Sequence, residues 1–251
     1  MAILEKLPAG FLLLYKEWLE AELSQYPVDV KKHKRSDNGK EYLQIVLGDK
    51  SRYQTGCNTE RSTIALDNYK TGLIIQNKIK ELNNILSLQG DLQSSYHPKR
   101  SIDSNDNFIF ETIYENTMKK SKNNLKPGLI PHGKYLVRSK SEDCACCIYD
   151  EVGTKYCYEP LLTKVQLLPD FAVLIPFLNF YYIHEHFGMI DDPEYRARFL
   201  KKISSYIDAG FIPGKNLLIT FETSTQPATK DYLENQIAAF ITNAYYERIE
   251  S

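Results

Sequence analysis

The stretch that decides the predicted fold is Gln166–Met189, QLLPDFAVLIPFLNFYYIHEHFGM. It reads as two strands joined by a short turn, Leu167–Ile175 and Phe180–Phe187, because both runs are rich in β-branched, aromatic and other apolar residues. Each run carries one acid, Asp170 in the first and Glu185 in the second. A carboxylate inside an apolar strand is costly unless it is compensated, and a metal ion is one compensator. Since adjacent strands lie about 4.8 Å apart, two acids at matching heights on one face can share a cation.

A third acid, Glu142, lies near the start of a predicted helix that begins at Ser139 or Lys140 and ends before Gly153. The elements that follow are predicted to complete an α-β-β-β-α-β-α order. Beyond the central pair, they are strands at Tyr156–Leu162 and Lys215–Thr223 and helices at Pro193–Ala209 and Thr229–Tyr246. The second helix in this order, Pro193–Ala209, has a strong start signal, because Asp192 can cap it and Pro193 suits its first position.

This order of acids and elements resembles the PD-(D/E)XK nuclease superfamily, which has the restriction-endonuclease-like fold. The resemblance covers roughly residues 128–245. Within the superfamily, this region is similar to an uncharacterised bacterial branch with an EHFGM motif. The segments that carry it are Ser139–Glu142, Tyr158–Leu161, Pro169–Phe171, Glu185–Met189, Asp191–Tyr195, Pro213–Leu217 and Thr220–Thr223. The chain departs from the superfamily pattern at one position, since Phe187 stands where a Lys is expected two residues after the last acid.

The resemblance implies hydrolysis of phosphodiester bonds with Mg²⁺ or Mn²⁺ as cofactor. Asp170 and Glu185 are then expected to bind the metal directly. By the same resemblance, the backbone carbonyl of His186 adds a ligand, and Glu142 binds the metal directly or through water. Such sites need few protein acids, because Mg²⁺ keeps several of its waters.

Another basic group must replace the missing lysine if the chain is an active enzyme. Lys202, Lys140 and His186 are the candidates. We rank Lys202 above Lys140, because the helix after the Glu185 strand can aim it at the site. Lys140 qualifies only if its segment is extended, since on a helix it points to a different side from Glu142.

Two functions therefore remain open. The first is a metal-dependent nuclease in a mobile-element or defence context, for which DNA is favoured over RNA as the substrate. The second is a catalytically inactive nuclease-fold protein that binds nucleic acid or acts in assembly, and the missing lysine favours it.

Other interpretations of the acids and histidines also stay open. Asp170 can cap a turn after Pro169, and Glu185 can pair with a nearby Lys or Arg. By strand alternation His184 and His186 fall on the face opposite Glu185. A zinc site built on these two histidines lacks an identifiable third ligand.

Five cysteines occur, and three are clustered at Cys144, Cys146 and Cys147. An odd number without a secretory signal favours reduced thiols. A metal cluster is conceivable, but the spacing is unusual for one, and cysteine is a common buried residue. We favour a core role.

Residues 1–125 are predicted to form a separate α/β module, and residues 126–251 the nuclease-like domain, with Lys126-Pro127-Gly128 marking the junction. A hairpin is predicted around Asn38-Gly39. Its first arm is basic, through Lys31, Lys32, Lys34 and Arg35. These side chains are candidates for phosphate contacts, although a charge run is more often only a solvated face.

Composition sets the outer limits. The chain has 251 residues, is 43% hydrophobic and 25% charged, and carries a net charge of −1. No global positive field therefore attracts nucleic acid, so a local basic patch is required. No apolar run approaches a membrane span and no signal peptide is evident, so we expect a cytoplasmic protein without membrane contact.

Overall fold

A computed structural model describes residues 3–36, 38–89, 105–120, 129–162 and 167–249 of the chain. The protein is mixed α/β and divides into two compact units. One unit spans residues 8–94, and the other contains residues 1–7 together with residues 95–251. Within the described ranges, every helix is too short or too polar to cross a membrane.

The boundary between the units differs from the junction predicted near residue 125. Helix α3, Asp106–Lys120, belongs to the second unit. Phe110 of this helix is buried among residues of the second unit's sheet, including Ala172 and Ile183. The turn signals in the sequence follow α3 and predict a junction there, whereas the packing of Phe110 depends on contacts distant in sequence.

The described residues of the first unit form two helices and a three-stranded antiparallel sheet in the order β1-β2-β3. Its elements are α1 Ala9–Leu23, β1 Pro27–Lys34, β2 Glu41–Leu47, β3 Arg52–Gly56 and α2 Glu60–Leu88. Leu43 and Ile45 of the sheet are buried with Ala65 of α2. The predicted basic hairpin is present, and Gly39 at its turn has φ +68°.

Local chemistry explains how α2 begins and where it lies. Thr59 accepts a hydrogen bond from the Ser62 amide at 3.1 Å, and the Ser62 hydroxyl accepts one from the Thr59 amide at 2.9 Å. This capping box fixes the first turn. Gly72 allows α2 to pack closely against the start of β1, because a Cβ atom there would lie 2.3 Å from the carbonyl oxygen of Pro27.

The second unit carries the candidate site on a four-stranded sheet, β6-β7-β8-β9. Its elements are a 3-10 helix Ile3–Lys6, α3, β4 Ile130–His132, β5 Tyr135–Val137, α4 Lys140–Val152, β6 Lys155–Tyr158, β7 Phe171–Ile175, β8 Phe180–Phe187, α5 Pro193–Asp208, β9 Leu217–Phe221 and α6 Lys230–Ile249. From α4 onward the order is the predicted α-β-β-β-α-β-α. The first three strands pair antiparallel, and β9 pairs parallel to β8 after the connection through α5.

Helices cover both faces of this sheet. On one face, Tyr206 of α5 and Phe110 of α3 are buried with Ala172 and Ile183. On the other face, Tyr149 of α4 lies edge-on to Phe171, and Phe240 of α6 packs on Tyr182. Residues of β7 and β8 therefore alternate between an α3/α5 face and an α4/α6 face.

Three predicted strands are shorter in the structure, and one of them is β9, which covers only Leu217–Phe221 of the predicted Lys215–Thr223. Strand β7 begins only at Phe171, because Pro169 has no amide hydrogen for a ladder. Strand β6 ends at Tyr158, since Glu159 adopts φ +46°. The predicted helix signals are confirmed: Asp192 caps α5, and Gly153 ends α4 with φ 74°.

Candidate active site

Asp170, the residue directly before β7, lies opposite Glu185 of β8. Phe171 pairs with His184 in the antiparallel register of β7 and β8, so the next position outward sets Asp170 against Glu185. Directly opposed residues place their side chains on the same sheet face, here the α3/α5 face. Asp170 is 5% exposed and Glu185 is 3% exposed. The two buried carboxyl groups therefore meet on one face of the sheet.

Helix α5 supplies the cation nearest to these acids. The Lys202 ammonium forms an ion pair with Glu185 Oε1 and donates to the carbonyl oxygen of Leu168 at 3.1 Å. The Tyr206 hydroxyl donates to Glu185 Oε2 at 2.7 Å. Lys202 and Tyr206 are four residues apart, so one face of α5 presents both to the strand.

Phe187 occupies the position at which the resemblance leads one to expect a lysine. Its side chain lies on the same face as Glu185 and contacts α5, with its ring 4.6 Å from that of Phe199. It also stacks on Phe221 of β9 at 6.0 Å. Because Lys202 follows Phe199 by three residues, the aromatic contact anchors α5 one turn before the lysine.

Glu142 stands at the edge of the site, in the first turn of α4, which Ser139 caps. Its Oε2 atom accepts from the Arg138 amide at 2.8 Å and from the Tyr158 hydroxyl at 2.7 Å. The Arg138 guanidinium lies 3.5 Å from Asp170 Oδ1 and 2.9 Å from Glu159 Oε1. Arg138 thus joins Glu142 to the carboxylate pair.

Lys140, the alternative to Lys202, is exposed and is the first residue of α4. Its segment is helical rather than extended, so it does not meet the condition under which it could replace the missing lysine.

Burial and mutual repulsion oppose ionisation of the two central carboxyl groups. Burial raises the pKa of Asp170 well above its ordinary value, and the charges of Glu185 and Glu142 raise it further. Burial also raises the pKa of Glu185, against the opposing effects of Lys202 and Tyr206. The side-chain oxygens of these acids are the type of ligand that Mg²⁺ and Mn²⁺ prefer. The ligand type therefore suits a divalent cation.

The backbone of His186 lies beside Asp170. Its amide donates to Asp170 Oδ2 at 2.7 Å, whereas the Phe187 carbonyl accepts from the Glu222 amide on the β9 side at 2.9 Å. The N–H and C=O of one strand residue point to the same side. The His186 carbonyl is therefore directed to the side of Asp170, where the resemblance implies a ligand.

The imidazoles of His184 and His186 face away from the acids. His184 Nδ1 lies 2.6 Å from the Tyr149 hydroxyl, and its Nε2 lies 2.8 Å from Thr220 Oγ1. The same Thr220 oxygen lies 2.8 Å from His186 Nδ1. Burial lowers the pKa of His184 to about 3, so this ring is neutral. Both of its nitrogens are occupied by hydrogen bonds, which argues against the zinc interpretation.

The basic hairpin belongs to the first unit and is exposed. Lys31 pairs with Asp29 at 3.0 Å, and Lys32 pairs with Glu41 at 2.7 Å. Arg35 lies over the ring of Tyr42 at 5.9 Å. Acids on the same hairpin thus offset part of its charge.

The clustered cysteines occupy different environments. Cys146 is buried, Cys144 is partly buried and Cys147 is exposed. The core interpretation therefore suits Cys146 and not Cys147.

The sequence alone assigned no role in the site to three residues near the acids: Arg138, Tyr158 and Tyr206. Helical spacing gave a signal for Tyr206, which follows Lys202 by one turn. Arg138 and Tyr158 gave no comparable signal, because their contacts depend on how the segment before α4 passes the end of β6.

No protein-family model, curated protein or solved structure matches this chain, so the support for a function comes from its own residues.

Proposed function

We propose that this protein is a divalent-metal-dependent nuclease with a restriction-endonuclease-like core, and that it hydrolyses phosphodiester bonds in DNA. One observation carries the proposal: Asp170 and Glu185 are buried opposite each other, and Lys202 contacts Glu185. The α-β-β-β-α-β-α order and the parallel β8–β9 pair also support the core assignment.

Asp170, Glu185 and the carbonyl of His186 would hold the ion, with Glu142 at the edge of the site. A bound Mg²⁺ or Mn²⁺ supplies an activated water and neutralises charge on the phosphate. Three buried acids support this assignment, because Glu185 and Glu142 lie near enough to Asp170 to raise its pKa, and a bound cation would stabilise the ionised carboxylates.

Lys202 takes the part assigned by the resemblance to the lysine that Phe187 replaces. Its ammonium is held by Glu185 and by the Leu168 carbonyl, which fixes its position beside the acids. An ammonium held there can orient a water and offset charge on a phosphate oxygen. Arg138, with its side chain 58% exposed, presents a guanidinium suited to binding phosphate at the rim.

A non-catalytic role is the second candidate, and one observation favours it. Glu185 Oε1 is paired with Lys202, and Glu185 Oε2 accepts from Tyr206. Asp170 Oδ2 similarly accepts from the His186 amide. Protein donors thus satisfy much of the site without an ion, as in a nuclease fold retained for nucleic-acid binding or assembly.

The test is cleavage of supercoiled plasmid by the full chain with Mg²⁺ or Mn²⁺, together with Mn²⁺ binding by calorimetry. We expect Asp170→Ala and Glu185→Ala to lose both cleavage and Mn²⁺ binding. Lys202→Met should lose cleavage and still bind Mn²⁺. Lys140→Ala is the matched control, because this exposed lysine lies near Glu142 without contacting the acids, and it should cleave normally.

Circular dichroism of each variant shows whether lost activity reflects lost folding. Wild-type protein that binds Mn²⁺ but cuts neither DNA nor RNA supports the non-catalytic role. Full activity in Asp170→Ala overturns the assignment of the site.

A further inference from the structure

We propose that His132, Asp143 and Cys147 form a second metal site, specific for Zn²⁺ or a similar transition ion. The nitrogen, oxygen and sulfur ligand atoms of these three side chains all lie within 4.8 Å of one another. They belong to β4 and α4, and none is among the proposed Mg²⁺ ligands. The inference is therefore independent of the proposed nuclease activity.

The donor set distinguishes this cluster from the buried acids. Zn²⁺ accepts mixed imidazole, carboxylate and thiolate ligands, whereas Mg²⁺ prefers oxygen. In a tetrahedral zinc site with bonds of about 2.0–2.3 Å, neighbouring ligand atoms are about 3.3–3.7 Å apart. His132 Nδ1 and Asp143 Oδ1 are 2.8 Å apart. The exposed Cys147 side chain can rotate to complete three ligands, which leaves a fourth position for water.

Asp150 supports the metal-binding role of the histidine. It lies 2.9 Å from His132 Nε2, the ring nitrogen opposite the one beside Asp143. Metal-bound histidines commonly donate their second N–H to a carboxylate, which orients the ring and makes it more basic. Asp150 is placed to accept that hydrogen bond while Nδ1 binds the ion.

The backbone holds the ligands on two packed elements. Asp143, Cys147 and Asp150 are spaced by four and three residues, so they share one face of α4. The β4–β5 hairpin packs against this helix. Gly133, with φ +53°, makes the two-residue turn that follows His132. The ion would thus tie the hairpin to α4.

The site is also open to an entering ion, because the Cys147 side chain is exposed. On the Asp150 side of the histidine, His132 and Asp150 line a cleft of about 580 Å³. An entry path is a requirement for a metal site. Without an ion, the same geometry allows a protonated His132 to donate to both Asp143 and Asp150. This is the competing explanation.

Cobalt is the probe that separates the two explanations, because a cobalt–thiolate bond gives a charge-transfer band in the near ultraviolet. We expect one equivalent of Co²⁺ to produce this band in the full chain, and Zn²⁺ to displace it. Cys147→Ser should abolish the band, and His132→Gln should weaken Zn²⁺ binding. Asp150→Asn should weaken it about 10- to 100-fold, the usual cost of losing such a carboxylate.

Cys144→Ser is the matched control, because Cys144 is on the same helix and outside the cluster, and it should keep the band. Asp170→Asn should also keep it, so the result does not depend on the nuclease site. An unchanged band in Cys147→Ser, or wild-type protein without a thiolate band, overturns the proposal. Zn²⁺ that leaves the NMR signals of the His132 ring unshifted also overturns it, and then favours the protonated histidine.

Discussion

Replacing Lys202 with Met tests the electrostatic description of the site. The substitution keeps most of the apolar stem and removes the ammonium. The Glu185 side chain is 4% exposed, and the Lys202 side chain is 30% exposed. In the variant, the buried carboxylate keeps the hydrogen bond from Tyr206 but loses its cation. We therefore expect the second unit to be destabilised at neutral pH.

The size of the loss follows from burial. Removing one partner from a fully buried ion pair costs about 3–5 kcal/mol. The loss should be smaller here, because water reaches part of Lys202, Tyr206 still donates, and Glu185 can take up a proton. We expect a decrease of about 2 kcal/mol in the free energy of unfolding. The decrease should shrink in acid, where Glu185 becomes protonated.

Urea unfolding followed by circular dichroism, with a chelator present, measures this decrease. A double-mutant cycle with Glu185→Gln isolates the pair, and we expect a coupling energy of about 1–2 kcal/mol. Lys201→Met is the control, because Lys201 is the exposed neighbour on α5 and should change stability by less than about 0.5 kcal/mol. The reasoning is refuted if Lys202→Met is equally costly in the Glu185→Gln background.

Three further predictions concern other parts of the chain. Asp170→Asn should stabilise the metal-free protein at neutral pH. The folded-state pKa of Asp170 is raised, so the stability of the wild-type protein falls as pH rises from the ordinary carboxyl range through that pKa. Thermal unfolding should show this gain disappearing in acid, and a gain that is constant with pH contradicts it. Gly72→Ala should destabilise the first unit by about 1–3 kcal/mol, because its Cβ meets the Pro27 carbonyl, and urea unfolding followed by Trp18 fluorescence should report the loss. Replacing the four basic residues of the hairpin, Lys31, Lys32, Lys34 and Arg35, with neutral ones should reduce the magnitude of the slope of log K against log salt for DNA binding by about 2–4. An unchanged slope would make the basic run a solvated surface only.

The sequence predicted the elements whose signals are local. Strand β8 was predicted with its observed bounds, because its apolar run is long and bounded by turns. The start of α5 followed from Asp192 and Pro193, and the end of α4 followed from Gly153. These signals act within a few residues of one another, so a single sequence contains them.

Elements that depend on distant contacts could not be predicted in the same way. Strands β4 and β5 have three residues each, too few for an alternating pattern to be recognised. Their hairpin packs on α4, and no local sequence signal indicates this contact. The position of α3 against the sheet likewise depends on long-range packing of Phe110.

Phe187 and Lys202 show how a chain can lack the expected lysine on the strand and still place a cation near the acids. A strand position two residues after Glu185 shares its face, so a lysine there would reach the acids from the strand itself. Here that position makes an aromatic contact with Phe199, which fixes α5 on the sheet. The next turn of α5 then brings Lys202 to Glu185 from above the same face. The aromatic residue that displaces the lysine is thus part of the packing that positions another cation, and a charge close to the acids can be supplied from either element.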